Sequence, residues 1–490
     1  MPVSRIAGLM AVLIYTLSVS RFTAYLGHCA APTMLNSRAW RDPSPHKIRF
    51  VSVDTNVKLE VLDWGGTGRV LVLLAGLGNT AHVFDGFAPK LTAAYHVYGI
   101  TRRGFGASSS PSSGYSADRL GDDILVVLDT LKIYRPVLVG HSIAGEELSS
   151  VGTRHPEKVA GLIYLEAGYA WAYYDPAVGD FDLDSLDLKR KLELVKSSSA
   201  EVKQSVRELE TRLAQLDESE KPQQTMQLIT ALLQTNIPHC EGSLRGVQNR
   251  MKQNDAVGPK QNGAKVIEEV LQTSFPTFER DLHSMQNYLR SAPLQPTVPD
   301  PTSADLASFT AFRSWLTRVE GVAMPEAELR QHYASKPNGG VGEERNTSKA
   351  SDAIAAGQQK CTDSGVPVLA IYSLPQDKVN SAREEAQAKA FERGVPYARV
   401  VWVPHANHYV FLPNEADVLR EMNAFLIALS KRGLFLSRFR SRPSTEKKAV
   451  LLHAALVRTG LSEPAKRYFS ASQSQCTIRL QTRSAYLAGD

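Results

Sequence analysis

The chain is poor in cysteine. It has four in 490 residues (Cys29, Cys240, Cys361 and Cys476), and no two have the spacing of metal ligands. A disulfide scaffold and a cysteine-rich zinc module are both excluded at this length. If the protein is exported, one bridge is open to it, Cys240–Cys361, across the middle of the chain. Self-similarity at the periods of solenoids and propellers is also lacking, which excludes those architectures. Basic residues interleaved with aromatics, the pattern expected of a nucleic-acid surface, are missing from the body of the chain. The net charge of +6 does not supply one. Residues 431–490 hold twelve lysines and arginines against Glu446, Glu463 and Asp490, so the remainder is about −3. The basic excess belongs to a tail, 431–490, expected to be a solvated, poorly ordered extension. No nucleic-acid partner is expected.

What is present is an ordinary globular composition, 43% hydrophobic and 22% charged, in a chain long enough for more than one structural unit. At the N-terminus Arg5 precedes a largely apolar run, Ile6 to Val19, which Arg21 ends. The run fits a secretory signal and is short for a membrane span. Residues 1–30 are therefore expected to be a signal peptide, and the protein exported or secreted. An N-terminal anchor, with membrane contact confined to that segment, is the alternative.

Residues 47–64 alternate between apolar and polar and predict a hairpin at a sheet edge. Val70–Leu74, Tyr95–Ile100, Val137–Val139 and Leu162–Leu165 are continuous apolar runs, as buried strands require. Leu120–Leu131 has helical spacing between two of them. Strand–helix alternation implies a mostly parallel sheet flanked by helices. The alternation stops after Gly168. Polar helical stretches follow, with Val202, Val206, Leu209, Leu213 and Leu216 on one face and an aromatic helix from Phe309 to Leu316. Proline clusters at 293–301 and Asn338-Gly339-Gly340 break the region. Strands resume at Val366–Tyr372 and Ala398–Val403, and a helix from about Glu415 to Leu429 closes the pattern. The expected organisation is an α/β core over 45–171 and 363–430, interrupted by a helical cap over 172–362.

Val137-Leu138-Val139-Gly140-His141-Ser142-Ile143-Ala144-Gly145 carries the chemistry. A buried strand runs into small-x-Ser-x-small and then into a helix, the form of a nucleophile elbow. Ser142 is the candidate nucleophile, and Gly140 and Ala144 are small because strand and helix close on each other there. A serine hydroxyl needs a base, and the base an orienting carboxylate. His408 follows the last strand, with His405 as its local competitor. Asp377 follows the preceding strand. Glu166, which ends Leu162–Leu165, is the rival acid. Asp363 precedes its strand and so lies at the wrong end. Ser142, Asp377 and His408 all fall at carboxyl ends of strands, where open α/β sheets bind ligands. Backbone N–H groups of Leu77 and Ile143 are the expected oxyanion donors.

Leu74-Ala75-Gly76-Leu77-Gly78, Thr101-Arg102-Arg103-Gly104-Phe105-Gly106-Ala107-Ser108 and Pro404–His408 resemble the oxyanion loop, the Asp-x-Arg-Gly-x-Gly-x-Ser turn and the histidine segment of cap-domain α/β-hydrolase-fold serine hydrolases. Ala75 and Thr101 depart from the common His and Asp. The resemblance covers about 48–170 and 365–430. It implies an α/β-hydrolase fold with a large helical cap insertion, and a Ser142–His408–Asp377 triad acting on a small-molecule carboxylic ester without metal or organic cofactor. An amide, peptide or C–C bond substrate is the alternative within the fold, and a non-catalytic binding protein the alternative outside catalysis. Phe309, Phe312 and Trp315 either line an acyl pocket or pack the cap.

Overall fold

The alternating segment forms β1 (Lys47–Asp54) and β2 (Val57–Gly65), paired antiparallel. A computed structural model describes residues 40–440 apart from 218, 220, 254–258, 292–299, 346, 357–363, 375–377 and 396. The apolar runs form β3 (Arg69–Leu74) and β4 (Tyr95–Ile100), with a short helix α1 (Ala88–Leu91) between them. Then come α2 (Ala117–Thr130), β5 (Val137–His141), α3 (Ala144–Arg154) and β6 (Gly161–Leu165). Every residue of β5 and β6 is buried, because helices cover both faces of the sheet.

Between β6 and the next sheet strand, the regular structure among the described residues is helical but for one hairpin. The helices are α4 (Phe181–Val195), α5 (Ala200–Asp217), α6 (Pro222–Ala231), α7 (Ile237–Gln253), α8 (Pro259–Glu269), α9 (Phe275–Ser291), α10 (Phe309–Glu320) and α11 (Glu326–His332). The hairpin β7 (Tyr333–Ser335) and β8 (Val341–Glu344) follows, and then α12 (Ser348–Ala356). That hairpin corrects the reading of 338–340 as a plain break: the glycines form its turn, with Gly339 at φ 83°. Strands of three and four residues are too short to show alternation. Val202, Val206, Leu209, Leu213 and Leu216 are all buried, in a cluster with Leu188, Ile229, Leu244, Phe275 and Phe278. Burying each such side chain contributes roughly 1.5–3 kcal/mol. Two π-helical turns, Leu232–Asn236 and Val270–Ser274, directly precede Ile237-Pro238 and Phe275-Pro276. Proline lacks an N–H and its ring collides with the carbonyl four residues back, so the preceding turn widens.

The sheet resumes with β9 (Val368–Leu374), α13 (Lys378–Gly394), β10 (Ala398–Pro404) and α14 (Glu415–Arg440). The eight-stranded order is β1-β2-β4-β3-β5-β6-β9-β10, parallel from β4 to β10. This is the α/β-hydrolase topology. Residue contacts divide the chain into 1–429 and 430–490, and of the second unit only the backbone of α14 to Arg440 is described. The N-terminal segment expected to be a signal or an anchor, and nearly all of the basic tail, lie outside the described residues. No helix among the described residues is long and apolar enough to cross a membrane.

Cys240 is a free, buried thiol of α7; Cys361, the other half of the Cys240–Cys361 bridge left open above, lies outside the described residues. Burial in the insertion's apolar core pushes that thiol up to about 12. Phe309 and Phe312 are buried in the same cluster as Phe84 and Phe411. Phe312 stacks on Trp315 at 5.5 Å and meets Tyr333 edge-on at 5.1 Å. Packing is therefore the role the structure gives these aromatics.

Candidate active site

β5 delivers the chain to a sharp reversal at Ser142. Its φ of 54° lies in the left-handed region, uncommon for a residue with a side chain and costing on the order of 1–3 kcal/mol. The surroundings hold it there. Ser142 N–H donates to Leu165 O at 3.1 Å, so the turn stays tied to β6. A Cβ on Gly140 would stand 3.0 Å from Ala144 Cβ, and one on Gly145 only 2.0 Å from Ala167 O. The small residues are thus required by the close approach of strand and helix. Nothing larger fits without moving backbone.

The loop after β3 lies against this turn. A Cβ on Gly76 would come within 2.8 Å of His141 Nδ1 and 3.3 Å of Ser142 Cβ. Neither the Leu77 nor the Ile143 N–H donates a hydrogen bond within the protein among the described residues. Their side chains share one apolar cluster with Phe105 and with Ile354 of α12. So the two expected oxyanion residues meet under a helix of the insertion.

Arg102 fixes the loop from below. Its Nη2 donates to Ala75 O at 2.9 Å and its Nη1 to Gly76 O at 3.3 Å, while Nε donates to buried Glu147 of α3. Thr101, the departure from the usual Asp, donates to Glu60 Oε2 at 2.8 Å and accepts from Ala81 N–H at 3.1 Å. Arg103 and Asp123 form a buried bidentate pair at 2.6 and 2.7 Å. On the insertion side, Glu328 of α11 is fully buried and accepts from Asn79 Nδ2 and Thr80 N–H, each at 3.0 Å, and from Thr80 Oγ1. His332 pairs with it at 2.8 Å. Burial would raise the Glu328 pKa, but the His332 charge and these hydrogen bonds hold it below the usual carboxylate value.

The loop after β10 brings in the histidines. His141 Nε2 donates to His408 O at 2.9 Å, and the two rings lie 4.7 Å apart. Full burial, with the neighbouring His408 charge, depresses the His141 pKa well below the histidine range, so His141 is neutral. This scaffolding role of His141, inside the elbow motif, is not visible in the sequence. His408 Nδ1 faces Glu166 Oε2 at 3.7 Å. Glu166 also takes a positive φ, 51°, and its Oε1 accepts from Ser373 N–H of β9. His405 sits at a positive φ of 57°, its N–H bonded to Leu374 O. No hydrogen bond joins Ser142 Oγ to His408; such bonds are commonly long without substrate. Asp377 and Asp363 lie outside the described residues.

A family model described as the alpha/beta hydrolase fold matches residues 69–415, well over half of the chain. The chain belongs to the α/β-hydrolase fold family. Within that family it is 30% identical over 111 residues to a putative non-heme haloperoxidase of Mycobacterium phage D29, covering 22% of this chain and 40% of that protein. It is 24% identical over 124 residues to a 2-(acetamidomethylene)succinate hydrolase of Mesorhizobium japonicum, covering 25% and 42%. It is 35% identical over 118 residues to epoxide hydrolase A of Mycobacterium tuberculosis, covering 23% and 37%. The chain thus spans less than half the length of these curated relatives. Among solved structures, that of E-2-(acetamidomethylene)succinate hydrolase is similar at 15% identity and a TM-score of 0.44, covering 78% of this chain and 99% of the other. An esterase from Exiguobacterium antarcticum is similar at 14% identity and a TM-score of 0.38, covering 77% and 98%.

Proposed function

We propose that this α/β hydrolase cleaves a small-molecule carboxylic ester through an acyl-enzyme on Ser142. The observation that carries the reading is the strained Ser142 turn with the 75–78 loop laid against it. It brings the 75–78 loop against Ser142, and the Leu77 and Ile143 N–H groups have no acceptor among the described residues. His408 takes the Ser142 proton as the hydroxyl attacks the carbonyl. Leu77 and Ile143 N–H groups hold the tetrahedral oxyanion. His408 then protonates the leaving alcohol and activates the water that hydrolyses the acyl-enzyme. The apolar cluster of Leu77, Ile143 and Ile354 beside these donors suits an apolar acyl or alkyl portion of the substrate.

Asp377, three residues past the end of β9, is the proposed acid on His408, because β9 lies beside β10, the strand that leads to His408. A second reading gives the role to Glu166, favoured by its 3.7 Å approach to His408 Nδ1.

A fluorophosphonate probe should label folded protein on Ser142 and turnover of p-nitrophenyl esters should vanish in Ser142→Ala. Unlabelled, folded protein would refute the nucleophile. Good turnover of aminoacyl anilides with negligible ester turnover would move the substrate class to amides.

A further inference from the structure

Away from the elbow, four side chains converge between the segment ahead of β1 and the 3-10 turn Ala81–Phe84. The geometry points to a closed divalent transition-metal site, of the kind that holds zinc, formed by Asp42, His46, His82 and Asp85. One donor atom from each residue lies within 4.8 Å of all the others.

The individual separations suit a small ion. His82 Nδ1 stands 2.9 Å from Asp85 Oδ2 and 3.2 Å from Asp42 Oδ2. His46 Nδ1 stands 2.9 Å from Asp85 Oδ1, and His46 Nε2 stands 3.7 Å from Asp42 Oδ2. Zinc bonds of about 2.0–2.2 Å to nitrogen and oxygen put tetrahedral ligand atoms about 3.3–3.6 Å apart. With one donor atom per residue all lie within 4.8 Å of one another, so the widest pair must close by roughly 1 Å to reach that spacing.

Three further features favour an ion. Asp42 Oδ2 is buried and meets no donor in good hydrogen-bond geometry, although His82 Nδ1 lies 3.2 Å away. The other ring nitrogen of His82 meets a carboxylate, with Glu60 Oε1 3.6 Å from Nε2. A carboxylate on the far nitrogen is the usual outer partner of a ligating histidine, since it fixes which nitrogen faces the metal. Glu60 is itself held by Thr101 Oγ1, and Asp85 by Trp64 Nε1 at 3.3 Å. Finally, Asp42, Asp85 and Glu60 gather three carboxylates around two imidazoles. Without metal a proton on His82 offsets this charge, and a divalent ion would take that proton's place.

The donor set selects the ion class. Two imidazoles with two carboxylates suit zinc and its first-row neighbours, whereas calcium and magnesium take oxygen alone. Four protein ligands leave no open position, which makes the site structural. Asp42 is the most exposed of the four, its side chain at 20%, and marks the entry side. Bound metal would tie residues 42–46 to the turn that directly follows the Ala75–Gly78 loop.

The test uses the full chain, stripped with chelator and dialysed, then titrated calorimetrically with Zn²⁺ alone. One ion per chain is expected, together with a raised unfolding midpoint and, with Co²⁺, the visible bands of a tetrahedral nitrogen–oxygen site. His46→Ala and Asp42→Asn lie ahead of the first strand and should keep the wild-type circular dichroism. Each should weaken binding at least about 100-fold. Failure of folded wild-type protein to bind stoichiometrically would overturn the proposal and leave a metal-free histidine–aspartate network. Binding by both folded variants as tight as wild type, or a cobalt spectrum showing sulfur ligation, would overturn it too. Should a variant not fold, wild-type stoichiometry and the cobalt spectrum decide alone.

Discussion

His141 donates from Nε2 to the backbone carbonyl of His408 at 2.9 Å, so the residue before the nucleophile holds the backbone of the proposed base. Because burial keeps His141 neutral, it serves as a fixed donor and takes no charge. His141→Ala should lower kcat on the order of 10–100-fold through misplacement of His408, with little change in KM. His141→Gln, which retains a donor, should recover part of the loss. Steady-state kinetics on a p-nitrophenyl ester would show the split, and an unchanged kcat in His141→Ala would remove the positioning role.

The choice of acid is open to a direct comparison. Asp377→Asn should reduce kcat on the order of 10³–10⁴-fold if Asp377 stabilises the imidazolium. Glu166→Gln should then cost far less, since Glu166 Oε1 is already occupied by Ser373 N–H and the isosteric amide can keep that contact. The reverse ranking of the two variants would transfer the role to Glu166.

Glu328 joins the insertion to the oxyanion loop through Asn79 and Thr80. Replacing it with Gln removes the buried carboxylate that pairs with His332 at 2.8 Å. Glu328→Gln should therefore destabilise the fold by about 3 kcal/mol. Denaturant unfolding would measure this, and fluorophosphonate labelling of the surviving folded fraction should slow because the loop loses its anchor. Labelling at the wild-type rate would confine Glu328 to a stabilising role.

Glu320 ends α10, half-buried, and burial pushes its pKa from 4.5 up to about 7. The folded state holds this proton more tightly than the unfolded one. The stability that goes with it is fully present below about pH 4.5 and is lost as pH rises through about 7. Glu320→Gln removes the titration. The unfolding midpoint of wild type should fall relative to Glu320→Gln between pH 4.5 and 7, and parallel curves across that window would refute the shift.

Much of the core was legible because its physics is local. The continuous apolar runs of β3, β5 and β6 can only be strands buried on both faces, and the 47–64 alternation marks the hairpin, although β2 is buried on both faces over Leu59–Trp64 and Ile48 and Phe50 of β1 are exposed. Helix α5 announced its buried face through residues 202–216. The insertion was less legible for a definite reason. Strands β7 and β8, of three and four residues, are too short to establish a two-residue alternation, and Phe309 and Phe312 look alike whether they line a pocket or fill a core. Nor did 42–46 and 82–85 read as related, since two spacings of three and four residues carry no signal until the fold joins them.

By itself, then, the sequence determined the elbow. Small residues on either side of Ser142 are a local steric demand, readable wherever strand and helix must close on one another. Tertiary structure alone decided who surrounds it. His141 on the His408 carbonyl, Arg102 on the 75–78 loop, Glu328 reaching from the insertion and Glu166 facing His408 each join residues far apart in the chain. Such pairs are set by sheet order and burial, which cost too much to leave a charge or a donor unpaired, and no local pattern records them.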